Sequence, residues 1–302
     1  MPSEGYVVTV SENKIDSQDN ANPAQAGGKE LTERSWGEDV KQYLRRGVSA
    51  VEWRTRFLSG WARRVTGLME PRKFHPEQVS QGITFVLPGI EAESVFTYGI
   101  CDGLVAGGMP GAVKVFNWGL PFPGGYLANL TRLDRNRRRA KDIAAEICRY
   151  QDQYPHRPVH VVAHSGGCGV AVFALEALPE GREVDSLVLL AGAISPTYDL
   201  RGALRKSRQG ILNAYSHKDW LVLGLGTRLF GTTDRQFCEG CGKVGFVRPA
   251  DLNGDGYLYD KLEQLAWQPH MMSQCRHWGG HISSAAEEYL ARYIAPWMMR
   301  GI

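Results

Sequence analysis

The stretch from Val159 to Leu178 constrains the fold of this chain more than any other. A short apolar run, Val159 to Ala163, is typical of a buried strand, and it breaks at Ser165. Small residues flank the serine, and a helix-compatible run follows at once from Gly167. Large side chains two residues before or after a serine in so sharp a turn would collide with the neighbouring backbone. The order strand, tight turn, helix is therefore predicted here, with the serine hydroxyl pointing out of the sheet.

Apolar runs and helical periodicity alternate along most of the chain. The runs predict strands at Ile83–Leu87, Val113–Trp118, Val159–Ala163, Ser186–Ala191 and Ile211–Tyr215. Helical stretches follow at Leu133–Tyr154, Gly167–Leu178 and Ala285–Met298. This alternation predicts an α/β fold, a mostly parallel central sheet with helices on both faces. The carboxyl ends of parallel strands then meet at one edge of the sheet.

The first quarter of the chain differs from the rest. Residues 1–30 are rich in small and polar residues without periodicity, which predicts a disordered tail. Residues 31–75 carry large aromatics at helical spacing and predict a helical extension that packs on the core, although such a basic amphipathic helix could also lie on a membrane surface. We assign residues 76–302 to the α/β domain, with 223–274 as a candidate cap-like insertion.

Composition excludes several classes of protein. A chain of 302 residues that is 43% apolar can bury a sizeable core. A net charge of +3 gives no argument for nucleic acid binding. No apolar run reaches the roughly 18 residues needed to span a bilayer, and no basic region precedes an apolar leader, so we expect a cytoplasmic protein. The six cysteines are too few for a disulfide scaffold.

Ser165 has candidate partners further along the chain. A serine hydroxyl is a weak nucleophile at neutral pH and needs a base within reach, which a carboxylate must orient. Asp219 follows the last predicted strand and is the preferred acid, while Asp199, after the preceding strand, is the alternative. His281 lies in a glycine-rich loop before the final helix and is the preferred base, with His277 as the alternative.

Two backbone N–H groups are predicted to bind the negative oxygen that develops during attack on a carbonyl. One belongs to Gly166, directly after the serine, and the other to Ile90 in the loop after the first strand. We expect Glu91, Trp118 and His164 to line the substrate pocket, although aromatic side chains near a site are more often part of the core. His164 is a poor base, because its side chain leaves the turn in another direction from the serine.

These motifs resemble those of the α/β-hydrolase superfamily from roughly residue 80 to the C-terminus. Ala163-His164-Ser165-Gly166-Gly167 is similar to the A-x-S-x-G elbow of small bacterial lipases. Leu87-Pro88-Gly89-Ile90 is similar to their H-G-I oxyanion loop, with Pro88 in place of the histidine. The resemblance implies a Ser165–His281–Asp219 triad.

The activity implied by the resemblance is that of a serine hydrolase that cleaves carboxylic esters through an acyl-enzyme and requires no cofactor. A small-molecule ester or lipid is then the expected partner. Cleavage of thioesters or amides, acyl transfer on the same triad, or a non-catalytic binding role remain alternatives, because one fold supports many reactions.

Two patterns resemble metal sites without completing one. Asp251-Leu252-Asn253-Gly254-Asp255-Gly256 begins like a calcium loop, but Leu262 stands where a bidentate glutamate is expected. Cys238 and Cys241 have zinc-ligand spacing, which a nearby cysteine and histidine could complete, but a second C-x-x-C is missing. The sequence favours a polar turn for the first and no metal at either.

Overall fold

The computed structural model describes residues 76–120, 125–252 and 254–301, so the predictions for residues 1–30 and 31–75 lie outside the described residues. Within these ranges, six strands form one sheet: β1 Ile83–Leu87, β2 Ala112–Val115, β3 Val159–His164, β4 Val184–Leu190, β5 Ser207–Tyr215 and β6 Leu262–Ala266. All neighbouring strands are parallel, in the order β2-β1-β3-β4-β5-β6. The predicted α/β fold class, a parallel central sheet with helices on both faces, is confirmed.

Helices connect the strands. The α-helices are α1 Val95–Ala106, α2 Gly125–Thr131, α3 Leu133–Gln153, α4 Gly167–Glu176, α5 Arg201–Arg205, α6 Thr227–Phe230, α7 Cys241–Val244, α8 Met271–Cys275, α9 Glu287–Tyr289 and α10 Ala295–Met298. Short 3₁₀ segments lie at Pro76–Gln81, Asp255–Lys261, Ile282–Ala285 and Met299–Gly301, and π-helical turns at Leu221–Gly226 and Leu290–Ile294. Within the described ranges, no helix has both the length and the apolarity that crossing a bilayer requires.

Alternate residues of each central strand enter different cores. Val161 and Ala163 of β3 belong to the core that α3 and α4 cover, whereas Val162 belongs to the core formed with α1 and the C-terminal helices. β3 is buried along its whole length. Burial of both faces is why the strands read as continuous apolar runs in the sequence rather than as alternating ones.

Several strand ends differ from the prediction. β2 ends at Val115 rather than Trp118, because Trp118 leaves the sheet and places its indole against the loop after β1. β4 ends at Leu190, because Ala191 adopts a positive φ of 47°. β5 begins earlier than predicted, at Ser207, which pairs with the start of β4 across an irregularity in the register.

The segment 223–274, predicted as a cap-like insertion, also contributes to the sheet. Its residues Leu262–Ala266 form β6 and pair with β5, from Ile211 with Leu262 to Tyr215 with Ala266. This strand is only partly buried and lacks an apolar run. An edge strand buries less surface than a central one, and its sequence therefore carries a weaker signal.

The sequence predicts one regular closing helix over Ala285–Met298, but this segment is helical in several short pieces of different type. The chain passes from a 3₁₀ turn through α9 and a π turn to α10. Pro296 has no N–H to donate to the preceding turn, which explains why a regular α-helix does not continue through Leu290–Ile294.

Candidate active site

The turn after β3 holds Ser165 in a strained conformation. Its φ is +53°, in the left-handed region that residues other than glycine rarely adopt. The Ser165 N–H donates to the Leu190 carbonyl at 2.9 Å, and the Ser165 carbonyl accepts from the N–H groups of Cys168 and Ala193. Main-chain hydrogen bonds from β4 and from the start of α4 therefore fix the sharp turn that the sequence predicted.

Two glycines allow this turn to pack against the loop after β1. A Cβ atom on Gly167 would lie 2.3 Å from the Pro88 carbonyl oxygen, and a Cβ atom on Gly166 would lie 2.6 Å from Ile90 Cγ2. Larger residues would push the elbow away from that loop. The close packing explains the small residues around Ser165. It also places Gly166 and Ile90, whose N–H groups are the predicted oxyanion donors, next to each other.

Asn129 of α2 holds the loop that carries Ile90. Its Nδ2 donates to the Ile90 carbonyl at 2.8 Å, and the Ala92 N–H closes a turn on the Gly89 carbonyl at 3.1 Å. Among the described residues, the N–H groups of Ile90 and Gly166 donate to no protein acceptor. The hydrogen bond from Asn129 occupies the Ile90 carbonyl and fixes this peptide, while the Ile90 N–H remains available to a ligand.

Trp118, expected to line the pocket, lies beneath the elbow. It is fully buried, and its indole N–H donates to the Pro88 carbonyl at 2.7 Å. The ring also packs beside Gly166 and Gly167. Trp118 therefore supports the loop after β1 from within the core.

His281 joins Ser165 to Asp219. Its Nε2 lies 2.8 Å from Ser165 Oγ, and its Nδ1 lies 2.6 Å from Asp219 Oδ2. The Leu223 N–H donates to the other carboxylate oxygen of Asp219 at 3.4 Å, and the Asp219 N–H donates to Ser216. The fold thus brings together three residues that follow β3, β5 and β6, at one edge of the sheet.

Side-chain hydrogen bonds hold the loop that carries His281, residues 277–285, which we call the base loop. The Trp267 indole N–H donates to the His277 carbonyl at 2.7 Å. The Ser284 hydroxyl donates to the His281 carbonyl at 2.7 Å, and Ser283 Oγ lies 2.9 Å from His277 Nδ1.

The alternative acid and base lie elsewhere. The His277 ring packs against Tyr289 with ring centroids 4.5 Å apart, and burial lowers the pKa of His277 to about 4. Asp199 is bound by Arg201 at the surface, and that hydrogen bond holds the pKa of the Asp199 carboxyl below its ordinary value. Neither is hydrogen-bonded to Ser165.

The serine is less accessible than expected from its position at the bend. Only 4% of Ser165 is exposed, and 11% of the His281 side chain. An apolar cluster lies at the same edge of the sheet, formed by Leu130, Ala191, Ala193 and Leu223, with Ile90 packed against it.

The remaining two predicted pocket residues lie side by side. The side chain of His164 is 3% exposed and that of Glu91 is 26% exposed, with Nδ1 and Oε1 3.8 Å apart. Sequence reasoning placed both near the site but assigned no interaction between them.

Sequence reasoning also missed two buried asparagines. Asn136 of α3 donates to the Asn129 carbonyl at 2.7 Å, and both residues are fully buried. Buried amides must be paired. Asn136 lies on the apolar face of the helix predicted over Leu133–Tyr154, and this unusual position was the sequence signal that could have identified it.

The two cysteines with zinc-like spacing are free thiols, as are the other four. Cys241 is buried against Gly192, and burial raises the pKa of its thiol. Across the described parts of the chain, no three His, Cys, Asp or Glu side chains are grouped so as to hold a metal ion.

No protein-family model and no curated protein matches the chain. Several solved structures to which it is similar are described as esterases or lipases, all at low identity. They include the esterase domain of a Rhodothermus marinus protein (13% identity, 76% of this chain and 90% of that chain, TM-score 0.42), a Pyrococcus furiosus esterase (12%, 73% and 82%, 0.46) and Aspergillus fumigatus lipase B (13%, 72% and 52%, 0.41).

Proposed function

We propose that the protein is a serine hydrolase that cleaves carboxylic esters. The observation that carries the proposal is the unbroken hydrogen-bond chain from Ser165 Oγ through the two nitrogens of His281 to Asp219. A hydroxyl, an imidazole and a carboxylate in this order form the arrangement that converts an alcohol into a nucleophile at neutral pH.

In the proposed mechanism, Ser165 Oγ attacks the ester carbonyl while His281 Nε2 takes its proton. Asp219 bonds to Nδ1, which keeps the ring in the tautomer with a free Nε2 and stabilises the imidazolium that forms. The tetrahedral intermediate collapses as His281 returns the proton to the leaving alcohol. Water, deprotonated in turn by His281, then releases the carboxylic acid and regenerates Ser165.

The N–H groups of Gly166 and Ile90 are the proposed donors to the oxyanion. Both have no protein acceptor among the described residues, and the two residues are in contact. Each such donor contributes about 3–4 kcal/mol to the stabilisation of the transition state. The start of α4, directly after Gly166, adds the positive end of a helix dipole.

Turnover of a panel of esters by the wild type and by Ser165→Ala tests this proposal. We expect hydrolysis of esters by the wild type and a loss of about 10⁴-fold or more in kcat for the variant, with an unchanged circular dichroism spectrum. A matched thioester and anilide in the same panel test the alternative leaving groups. Wild-type turnover by Ser165→Ala, or no ester hydrolysis at all, would overturn the proposal.

A further inference from the structure

A second carboxylate and histidine lie beside the triad, and the proposed mechanism does not use them. His164 directly precedes Ser165, and its ring centroid lies 5.1 Å from that of His281. Glu91 directly follows Ile90, and its Oε1 lies 3.8 Å from His164 Nδ1. The pair therefore stands between the loop that carries one oxyanion donor and the loop that carries the base.

The hydrogen-bond partners of His164 determine where its protons lie. Its Nε2 is 3.4 Å from the His281 carbonyl oxygen, which can only accept, so Nε2 carries a hydrogen and donates. Its Nδ1 is buried and has no hydrogen-bond partner within the described residues. The Glu91 carboxylate faces this nitrogen, with Oε1 3.8 Å away.

Glu91 is held in the same arrangement. Burial alone would raise the pKa of the Glu91 carboxyl, but its interaction with the adjacent His164 imidazole outweighs burial and lowers that pKa. The carboxylate also folds back over Gly89, where a Cβ atom would lie 2.2 Å from Oε2. Ser94, which precedes α1, has its hydroxyl 3.5 Å from Glu91 Oε1. The Glu91 carboxylate is therefore held in its charged form next to Gly89 and Ile90, in the loop after β1 that we call the oxyanion loop.

Building on the proposed function, we propose that Glu91 and His164 are positioning residues that tie the oxyanion loop to the carbonyl of His281. Ile90 and His281 lie on separate loops after β1 and β6, and they must keep their relative position within a fraction of an ångström for efficient acyl transfer. The Glu91–His164–His281 chain spans that gap on the α1 side of the sheet. Asn129 and Trp118 hold the oxyanion loop from the other side.

Glu91 also places a negative charge near the base. The charge of His281, like that of His164, lowers the pKa of the Glu91 carboxyl. Other titratable groups on the elements around His281 are Asp219, which bonds it, His277 of the same loop, Lys218, which lies over Trp267, and Glu93, which accepts from Tyr98.

Three variants separate the two contacts of this pair. His164→Ala removes both, His164→Gln keeps a donor in reach of the His281 carbonyl, and Glu91→Gln removes only the charge. Matched controls are His160→Gln, a buried histidine on the same strand that bonds to Ser186, and Glu93→Gln, two residues beyond Glu91. All five are compared with the wild type by ester kinetics across pH.

We expect His164→Ala to lower kcat by about 10- to 100-fold with KM changed less than about threefold, and His164→Gln to recover part of the loss. Glu91→Gln should lose about tenfold in kcat, and the two controls should stay near wild type.

Amide hydrogen exchange of residues 277–285 gives a readout that does not depend on turnover. Faster exchange there in His164→Ala, but not in Glu93→Gln, supports the tie even if the wild type cleaves no ester, in which case the proposed function alone is wrong. The inference is overturned if His164→Ala matches the controls in kcat and exchange. It is equally overturned if His164→Gln is no better than His164→Ala in both kcat and amide exchange, because the pair then only fills space.

Discussion

The elbow that carries Ser165 and the base loop that carries His281 are built differently. A Cβ atom at Gly167 would meet backbone oxygen at 2.3 Å, whereas a Cβ atom at Gly280 would meet nothing within 4 Å. The elbow is fixed mainly by main-chain packing between β1, β3 and β4, whereas the base loop combines short-range main-chain hydrogen bonds with the side-chain hydrogen bonds of Trp267 and Ser284. Ser165 is therefore positioned mainly by the fold itself, and His281 depends more on contacts that a single side-chain substitution removes.

The largest effect is expected on the base side, at the carboxylate that holds His281. Asp219→Asn should lower kcat for an ester by about 10³- to 10⁴-fold, because an amide cannot stabilise the imidazolium and favours the wrong tautomer. Asp199→Asn, at the surface, should remain within about threefold of wild type. Steady-state kinetics of both variants check this, and the reverse ranking would move the acid to the loop after β4.

The elbow should tolerate no added methyl group. Gly167→Ala should lower the free energy of unfolding by about 2 kcal/mol or more, since backbone must shift to accept the Cβ atom, and ester turnover should fall with it. Gly280→Ala in the base loop should change the free energy of unfolding by less than about 0.5 kcal/mol. Urea unfolding compares the two, and equal tolerance would remove the contrast between the two regions.

A single support of the base loop should matter less. Trp267→Phe removes the donor to the His277 carbonyl and should lower kcat by about three- to tenfold, since the remaining hydrogen bonds still hold the loop. Trp220→Phe is the matched control, because Trp220 is 57% exposed. A loss as large as that of Asp219→Asn would mean that the loop depends on this one bond.

Acid should weaken the base loop. The pKa of His277 falls from its ordinary 6.5 to about 4 on burial, so the unfolded chain binds more protons between these values and stability declines as pH falls through this window. The largest loss is about 3 kcal/mol in the free energy of unfolding. His277→Gln should flatten that part of the pH dependence, while exposed His270→Gln should not. Buried His160, with a pKa of about 4, contributes a similar dependence from β3.

Much of the site could be predicted from the sequence because each residue follows a readable element. Ser165, Ile90 and Asp219 come directly after buried strands whose apolar runs are unmistakable, and parallel strands bring their ends to one edge. β6 could not be predicted, since Leu262–Ala266 is a partly buried edge strand. The burial of Trp118 depends on packing between loops far apart in the chain, which no local pattern encodes.

The contact between Glu91 and His164, next to Ser165 and His281, also lay beyond local reasoning. Glu91 and His164 are far apart in sequence, and each alone reads as a pocket residue. Only the register of β1 beside β3 shows that the loop after one strand faces the end of the other.

Labelling with a fluorophosphonate probe, mapped to the modified residue by mass spectrometry, tests the central claim most directly. We predict a single adduct on Ser165 in the wild type and in His277→Ala, and a rate of labelling reduced by about 100-fold or more in His281→Ala. Undiminished labelling in His281→Ala, or an adduct on any serine other than Ser165, would contradict the account.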